Sequence, residues 1–302
     1  MKLGVVFPQT EIGADPIAIR DYVQAVEEMG FNHLLAFDHV LGANSATYDF
    51  DRLKGPYREN DMFHEPFVLF GYLAAITKRL ELGTAVLILT QRQTALVAKQ
   101  AAEVDVLSGG RMRLGVGTGW NWVEYEALGV PFNDRGPRLE EQVTLLRELW
   151  TKPLITFKGK FHSVPDAGIN PLPQRRPIPI WFGGMAENVI RRVGTIGDGW
   201  YPQFPSLDPL MSNRLPRTLE EPKAVVERLW DYARKAGRDP KSIGIQGRLV
   251  YGNSTPDDWH RMMQLWRTDL GATHVSVMTM RSGLKGVSAH IAATKRIKDS
   301  IR

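Results

Sequence analysis

Eight times along this chain a short apolar, β-branched run gives way to a segment of helical periodicity, and that alternation leaves few folds open. The strand-like runs are 3–7, 33–37, 80–89, 112–116, 178–182, a short one around Trp200, 243–251 and 274–278. The helical patterns that follow them are 16–29, 66–77, 94–107, 138–150, 187–196, 219–236, 256–270 and 288–301. The runs are apolar throughout rather than alternating, which means strands covered on both faces, and so a parallel sheet with helices around it. Eight such units close most naturally into a (β/α)8 TIM barrel, with an open doubly wound sheet as the next choice. No linker separates two parts, so a single α/β barrel domain is expected over 1–302.

Four segments depart from the rhythm. Residues 154–164 contain Phe157-Lys158-Gly159-Lys160-Phe161, which reads as a small hairpin, and 165–179 reads as a proline-rich loop. The polar insertions 38–64 and 202–216 are expected at the C-terminal face of the strands, where barrels carry their chemistry.

Composition narrows the chemistry. The 302 residues contain no cysteine, so disulfides, thiolate nucleophiles and cysteine-ligated metal or iron–sulfur sites are excluded. The opening MKLGVVFPQT is too short an apolar run for a signal peptide, and nothing approaches the ~18 apolar residues of a membrane helix. A cytoplasmic protein without membrane attachment is expected. The net charge of +5 favours an anionic ligand. The basic residues come as scattered pairs such as Arg175-Arg176 and Arg191-Arg192, which suits a small anionic cofactor better than nucleic acid.

Residues 114–129, LGVGTGWNWVEYEALG, look like a glycine finger for a dinucleotide. Gly115 and Gly117 fit the first and third positions, but the sixth is Trp120, whose indole would keep helix and strand apart. The stretch is better read as a buried strand opening into a loop of glycines and aromatics. The other strand ends are Phe7-Pro8-Gln9, Asp38-His39, Thr84 to Leu87, Gly183-Gly184-Met185 and Gly199-Trp200. One histidine, few carboxylates and many apolar groups suit a flat conjugated ring better than a metal or a hydrolytic centre.

Several of these stretches together carry a family resemblance. AFDHV (36–40), the long run 80–130 containing AKQAAEVDVLSGGR and LGVGTGWN, PIWFGG (179–184) and GDGW (197–200) resemble the luciferase-like superfamily of flavin and deazaflavin oxidoreductases. The resemblance extends over nearly the whole chain and leans toward the branch that uses coenzyme F420, with flavin mononucleotide (FMN) as the alternative. It implies a cofactor site built from Phe7, Asp38, His39, Ala85, Val86, Thr118, Gly119, Trp120, Asn121, Gly183, Gly184, Met185 and Ala186. In that scheme 118–121 line the ring and ribityl chain, and Gly184 to Ala186 hold the phosphate at a helix N-terminus. Arg92 and Arg192 are the basic residues considered as helpers there.

The resemblance makes His39 the catalytic group beside the reactive carbon, where imidazole can exchange a proton as hydride moves. Asp38 is expected to orient it, and Ala85-Val86 matches a bulge that carries a cis peptide in the family. Sugar-phosphate dehydrogenases of this kind place a glutamate where Trp120 stands here. Glu124 and Glu126 are read as helix-surface groups or supports behind the site. The expected activity is hydride transfer between reduced F420 and a bulky or apolar organic substrate. The alternatives are an FMN-dependent monooxygenase with a partner flavin reductase, and a barrel that serves only as a binding partner. A homodimer through the helices after strands two and three is also implied.

Overall fold

The computed structural model describes residues 1–48, 53, 55–204, 207 and 222–301. The strands are β1 (Lys2–Val6), β2 (His33–Ala36), β3 (Glu81–Thr84), β4 (Leu87–Ile88), β5 (Met112–Gly117), β6 (Ile155–Lys158), β7 (Ser163–Ala167), β8 (Ile180–Gly183), β9 (Gly199–Tyr201), β10 (Gly244–Val250) and β11 (His274–Met278). The helices are α1 (Pro16–Glu28), α2 (Pro66–Ile76), α3 (Thr94–Ser108), α4 (Trp122–Ala127), α5 (Arg135–Thr151), α6 (Glu187–Ile196), α7 (Pro222–Lys235), α8 (Pro256–Gln264) and α9 (Gly286–Ser300).

Apart from the antiparallel β6–β7 hairpin, the strands pair in the order β3-β2-β1-β11-β10-β9-β8-β5-β4, and β3 also pairs with β5. Neighbouring strands run parallel, as in Gly4 opposite His33 and Leu87 opposite Val116. This is the closed (β/α)8 barrel, with β3 and β4 as the two halves of its third strand. β2 and β5 are buried along their whole length, which is why they carry no polar alternation.

The chain packs as two compact units, Met1–Ala36 with Arg79–Gly83 and Trp181–Arg302, and Phe37–Lys78 with Thr84–Ile180. In the first, α1 lies against α9, and His33 Nε2 sits 2.8 Å from Ser276 Oγ. The Trp181 indole fills the space beside Gly199, where a Cβ would come within 2.2 Å of the ring. In the second, α2 packs on α3, and Trp150 of α5 donates its indole N–H to Ala98 O at 3.0 Å. Glu141 of α5 pins the hairpin by accepting the N–H groups of Lys160, Phe161 and His162. Those hydrogen bonds and His162 outweigh its burial, so its carboxyl is held below the usual range.

Several elements differ from the sequence expectation. The run 80–89 is not one strand: it breaks after Thr84, the Ala85–Val86 peptide is cis, and Leu89–Gln91 form a 3₁₀ turn. The loop expected over 165–179 begins as strand, because β7 reaches Ala167 to pair with Ile155. The helix expected over 256–270 is α-helical to Gln264 and finishes as a π turn over Leu265–Asp269. The six-residue α4, where Glu124 and Glu126 were read as helix-surface groups or supports, had no place among the eight expected helices. Of the insertions, residues 49–52 and 54 of the first and 205, 206 and 208–216 of the second lie outside the described residues, as do 219–221 of the helix expected to begin at 219. No helix among the described residues is long and apolar enough to cross a membrane.

Candidate active site around His39

Past the end of β2 the backbone continues through Phe37, Asp38 and His39, and successive side chains along an extended chain point opposite ways. Asp38 is turned inward and fully buried. Its Oδ1 takes Arg92 Nη2 at 2.7 Å and its Oδ2 takes the Ile88 N–H at 2.9 Å. Arg92 reaches on to Glu65 at 2.9 Å, and Glu65 itself caps α2 by accepting the Val68 N–H at 2.8 Å. Burial pushes the Asp38 carboxyl up, and Arg92 with the Ile88 N–H acts against that rise. Burial would lower Arg92, but the two carboxylates beside it keep the guanidinium above its usual range. Arg92 is thus committed to this bracket rather than available to a phosphate.

His39 is turned the other way. Its Nδ1 lies 3.1 Å from Glu124 Oε2, and the other oxygen of Glu124 accepts the N–H groups of Val40 at 2.5 Å and Leu41 at 3.1 Å. The imidazole stands among three aromatic rings, with centroids 4.8 Å from Phe63, 5.2 Å from Tyr57 and 5.4 Å from Trp120. Its side chain is 9% exposed. Among the described residues no hydrogen bond occupies Nε2.

The loop after β5 is held from several points. Gly119 has φ +64°, and a Cβ there would meet Ile88 at 2.7 Å, so only glycine fits both the turn and the space. Tyr125 donates to Thr118 O at 2.6 Å and is hydrogen-bonded to Thr90 Oγ1; burial pushes its phenol up to about 12. Asn121 starts α4: its Oδ1 accepts the Val123 N–H and its Nδ2 donates to Leu41 O, both at 3.2 Å. Ala85 and Val86 are half-buried.

Within the other unit, Gly183, Gly184 and Met185 are half-buried and lead to Ala186, which begins α6. No side chain caps that helix, so the first-turn N–H groups have no side-chain acceptor. Such an end suits an anion. Arg192 is buried further along α6. Phe7 is fully buried, edge-on to Tyr22 at 5.9 Å.

The sequence expectation is corrected at one point and extended at another. Asp38 does not orient the imidazole; Glu124 does, because Asp38 faces the opposite side of the chain. Glu126 is on the exposed helix surface as expected, whereas Glu124 is 1% exposed. The signal was present: Asn121 followed three residues later by Glu124 has the spacing of a capping box. Here the N3 glutamate turns to residues 39–41 instead of back to its own N-cap. No group of three or more His, Cys, Asp or Glu able to hold a metal occurs among the described residues.

The model of the luciferase-like monooxygenase family matches residues 1–297. The chain is 31% identical over 207 residues to the F420-dependent glucose-6-phosphate dehydrogenase of Amycolatopsis mediterranei, covering 66% of this chain and 56% of that protein. It is 36% identical over 181 residues to the pyrimidine monooxygenase RutA of Allorhizobium ampelinum, covering 58% and 46%. The chain spans about half the length of the curated relatives it matches. Among solved structures, the monooxygenase RslO1 from Streptomyces bottropensis superposes with a TM-score of 0.77 at 17% identity, covering 100% of this chain and 98% of that one, a likeness of fold.

Proposed function

Because the chain belongs to the luciferase-like monooxygenase family, we propose that it is an F420-dependent oxidoreductase that reduces an electrophilic C=C or C=N bond of a bulky or apolar organic substrate. The observation that carries this reading is His39: an imidazole held at Nδ1, open at Nε2 and walled by aromatic rings. When bound, reduced F420 supplies the hydride. The protein supplies the proton from His39 Nε2, so that one end of the double bond gains hydride, the other gains H⁺, and water restores the imidazole proton. Tyr57, Phe63 and Trp120 wall the imidazole and would limit its contact with bulk water.

The residues present suit such a cofactor. The 118–121 loop offers backbone and an indole to a flat ring. Trp120 in place of a carboxylate argues against sugar-phosphate oxidation. The exposed Val40, Leu41, Met62 and Trp122 favour an apolar substrate. The kinship with RutA supports a second reading, an FMN-dependent monooxygenase that takes its reduced flavin from a partner reductase.

Parallel titration with F420 and FMN separates the two. The first reading expects F420 to bind at much lower concentration, and added salt to weaken it by screening the anionic tail. Tighter FMN binding with oxygen consumption would replace it with the second. His39→Ala is expected to lower turnover by ~10²–10⁴-fold with cofactor affinity retained. We also propose a homodimer. α2 (PFVLFGYLAAI) has no charged face, and Val68, Tyr72 and Leu96 expose apolar surface on α2 and α3. Sedimentation of Val68→Glu as a monomer beside a dimeric wild type is the expected result.

A further inference from the structure

We infer that Glu124 is a positioning residue that sets the tautomer of His39, so that the proton is exchanged at Nε2 and nowhere else on the ring. The assignment of Nε2 as the exchanging atom rests on the proposed activity; the tautomer itself does not. Glu124 Oε1 is taken by two backbone donors, Val40 N–H at 2.5 Å and Leu41 N–H at 3.1 Å. A carboxylate only accepts, so the atom facing Oε2 at 3.1 Å, His39 Nδ1, must carry a hydrogen. The neutral imidazole therefore presents a lone pair at Nε2. The protonated one presents an N–H there while its Nδ1–H stays on Glu124.

Side-chain, backbone and helix geometry all serve this contact. Glu124 is 1% exposed, so water does not compete for its oxygens. Asn121 fixes α4 at its start and ties it to Leu41 O, inside the same short segment whose N–H groups Glu124 holds. The imidazole ring and the two peptide N–H groups that follow it are thus gripped by one carboxylate.

Amidation makes a sharp test. In Glu124→Gln the amide oxygen must stay on the Val40 and Leu41 N–H groups, because an NH₂ cannot accept from them. The NH₂ then faces Nδ1, which has to give up its hydrogen and accept. The ring is forced into the Nε2–H tautomer with its shape and packing unchanged. Amidating a buried carboxylate that holds an imidazole tautomer has cost about 10⁴-fold in turnover elsewhere. A fall of ~10²–10⁴-fold with retained F420 affinity is expected here.

The experiment is a long-range ¹H–¹⁵N correlation spectrum of the uniformly ¹⁵N-labelled protein at a pH where imidazoles are neutral, with the His39 signals assigned by their loss in His39→Gln. Wild type is expected to show the Nδ1–H pattern and Glu124→Gln the Nε2–H pattern, alongside the fall in turnover with reduced F420. A wild-type Nε2–H pattern overturns the inference even if the variant fails to fold, as does an unchanged tautomer in a folded variant. A switched tautomer with undiminished turnover overturns the role of Nε2. Failure of both proteins to bind F420, with the tautomers as expected, would defeat the proposed cofactor and leave the Glu124 contact supported.

Discussion

Replacing Asp38 by alanine removes the acceptor on which the exit of β2 turns, and the structure gives the size of the loss. The carboxylate is fully buried and serves two donors, Arg92 at 2.7 Å and the Ile88 N–H at 2.9 Å. Breaking one side of a buried ion pair costs ~3–5 kcal/mol, because a charge is left without a partner in low dielectric. Arg92 keeps Glu65 at 2.9 Å, which places the loss of the ion pair toward the lower end of that range. The orphaned Ile88 N–H adds ~1 kcal/mol or more. About 4 kcal/mol is the expected total, a large share of the ~5–15 kcal/mol that holds a domain folded. Glu65→Ala is the control. It removes a partner whose side chain is 37% exposed and a helix cap, worth together ~1–2 kcal/mol. Urea unfolding of both variants, followed by circular dichroism and tryptophan fluorescence, reads the difference directly. The reasoning is refuted if Asp38→Ala loses no more stability than Glu65→Ala.

Two further outcomes follow from buried polar groups. His290 is fully buried, and desolvation pushes it from 6.5 down to about 4. Its depressed value means the unfolded chain binds the proton first, so stability present above 6.5 is lost as pH falls toward 4. The loss between pH 7 and pH 5 is about 2 kcal/mol, which His290→Gln is expected to abolish in denaturant titrations at the two pH values. Tyr125→Phe removes the hydrogen bond to Thr118 O and is expected to cost ~1–2 kcal/mol and to weaken F420 binding in the same titration used for wild type, whereas unchanged stability would show that the hydroxyl contributes nothing to holding the loop.

The barrel was legible because burial on both faces leaves its mark on every strand, as in Met112–Gly117, and because Pro, Asp and Gly mark the helix ends. The break at Ala85–Val86 was not readable from periodicity, since both halves of the strand are apolar; only the family resemblance pointed there. The extension of β7 was masked by the prolines around it, whose placement depends on pairing with β6 rather than on local preference. At the site, His39 was singled out by its place after a strand together with the family resemblance. Glu124 was read as a helix-surface group or a support behind the site, but its pairing with His39 was not, because the contact spans 85 positions in sequence and joins segments that no local pattern connects.

That long-range tie sets a limit on how this scaffold can be re-engineered or recombined. Residues 38–41 and 121–125 behave as one inheritable cassette: Glu124 of α4 and its N-cap Asn121 grip His39, Val40 and Leu41 of the other segment. A chimera that imports either segment alone would bring a histidine with no holder or a carboxylate buried against no donor. Loop-swapping libraries on this barrel should therefore move the two segments as a pair, with crossovers placed outside both.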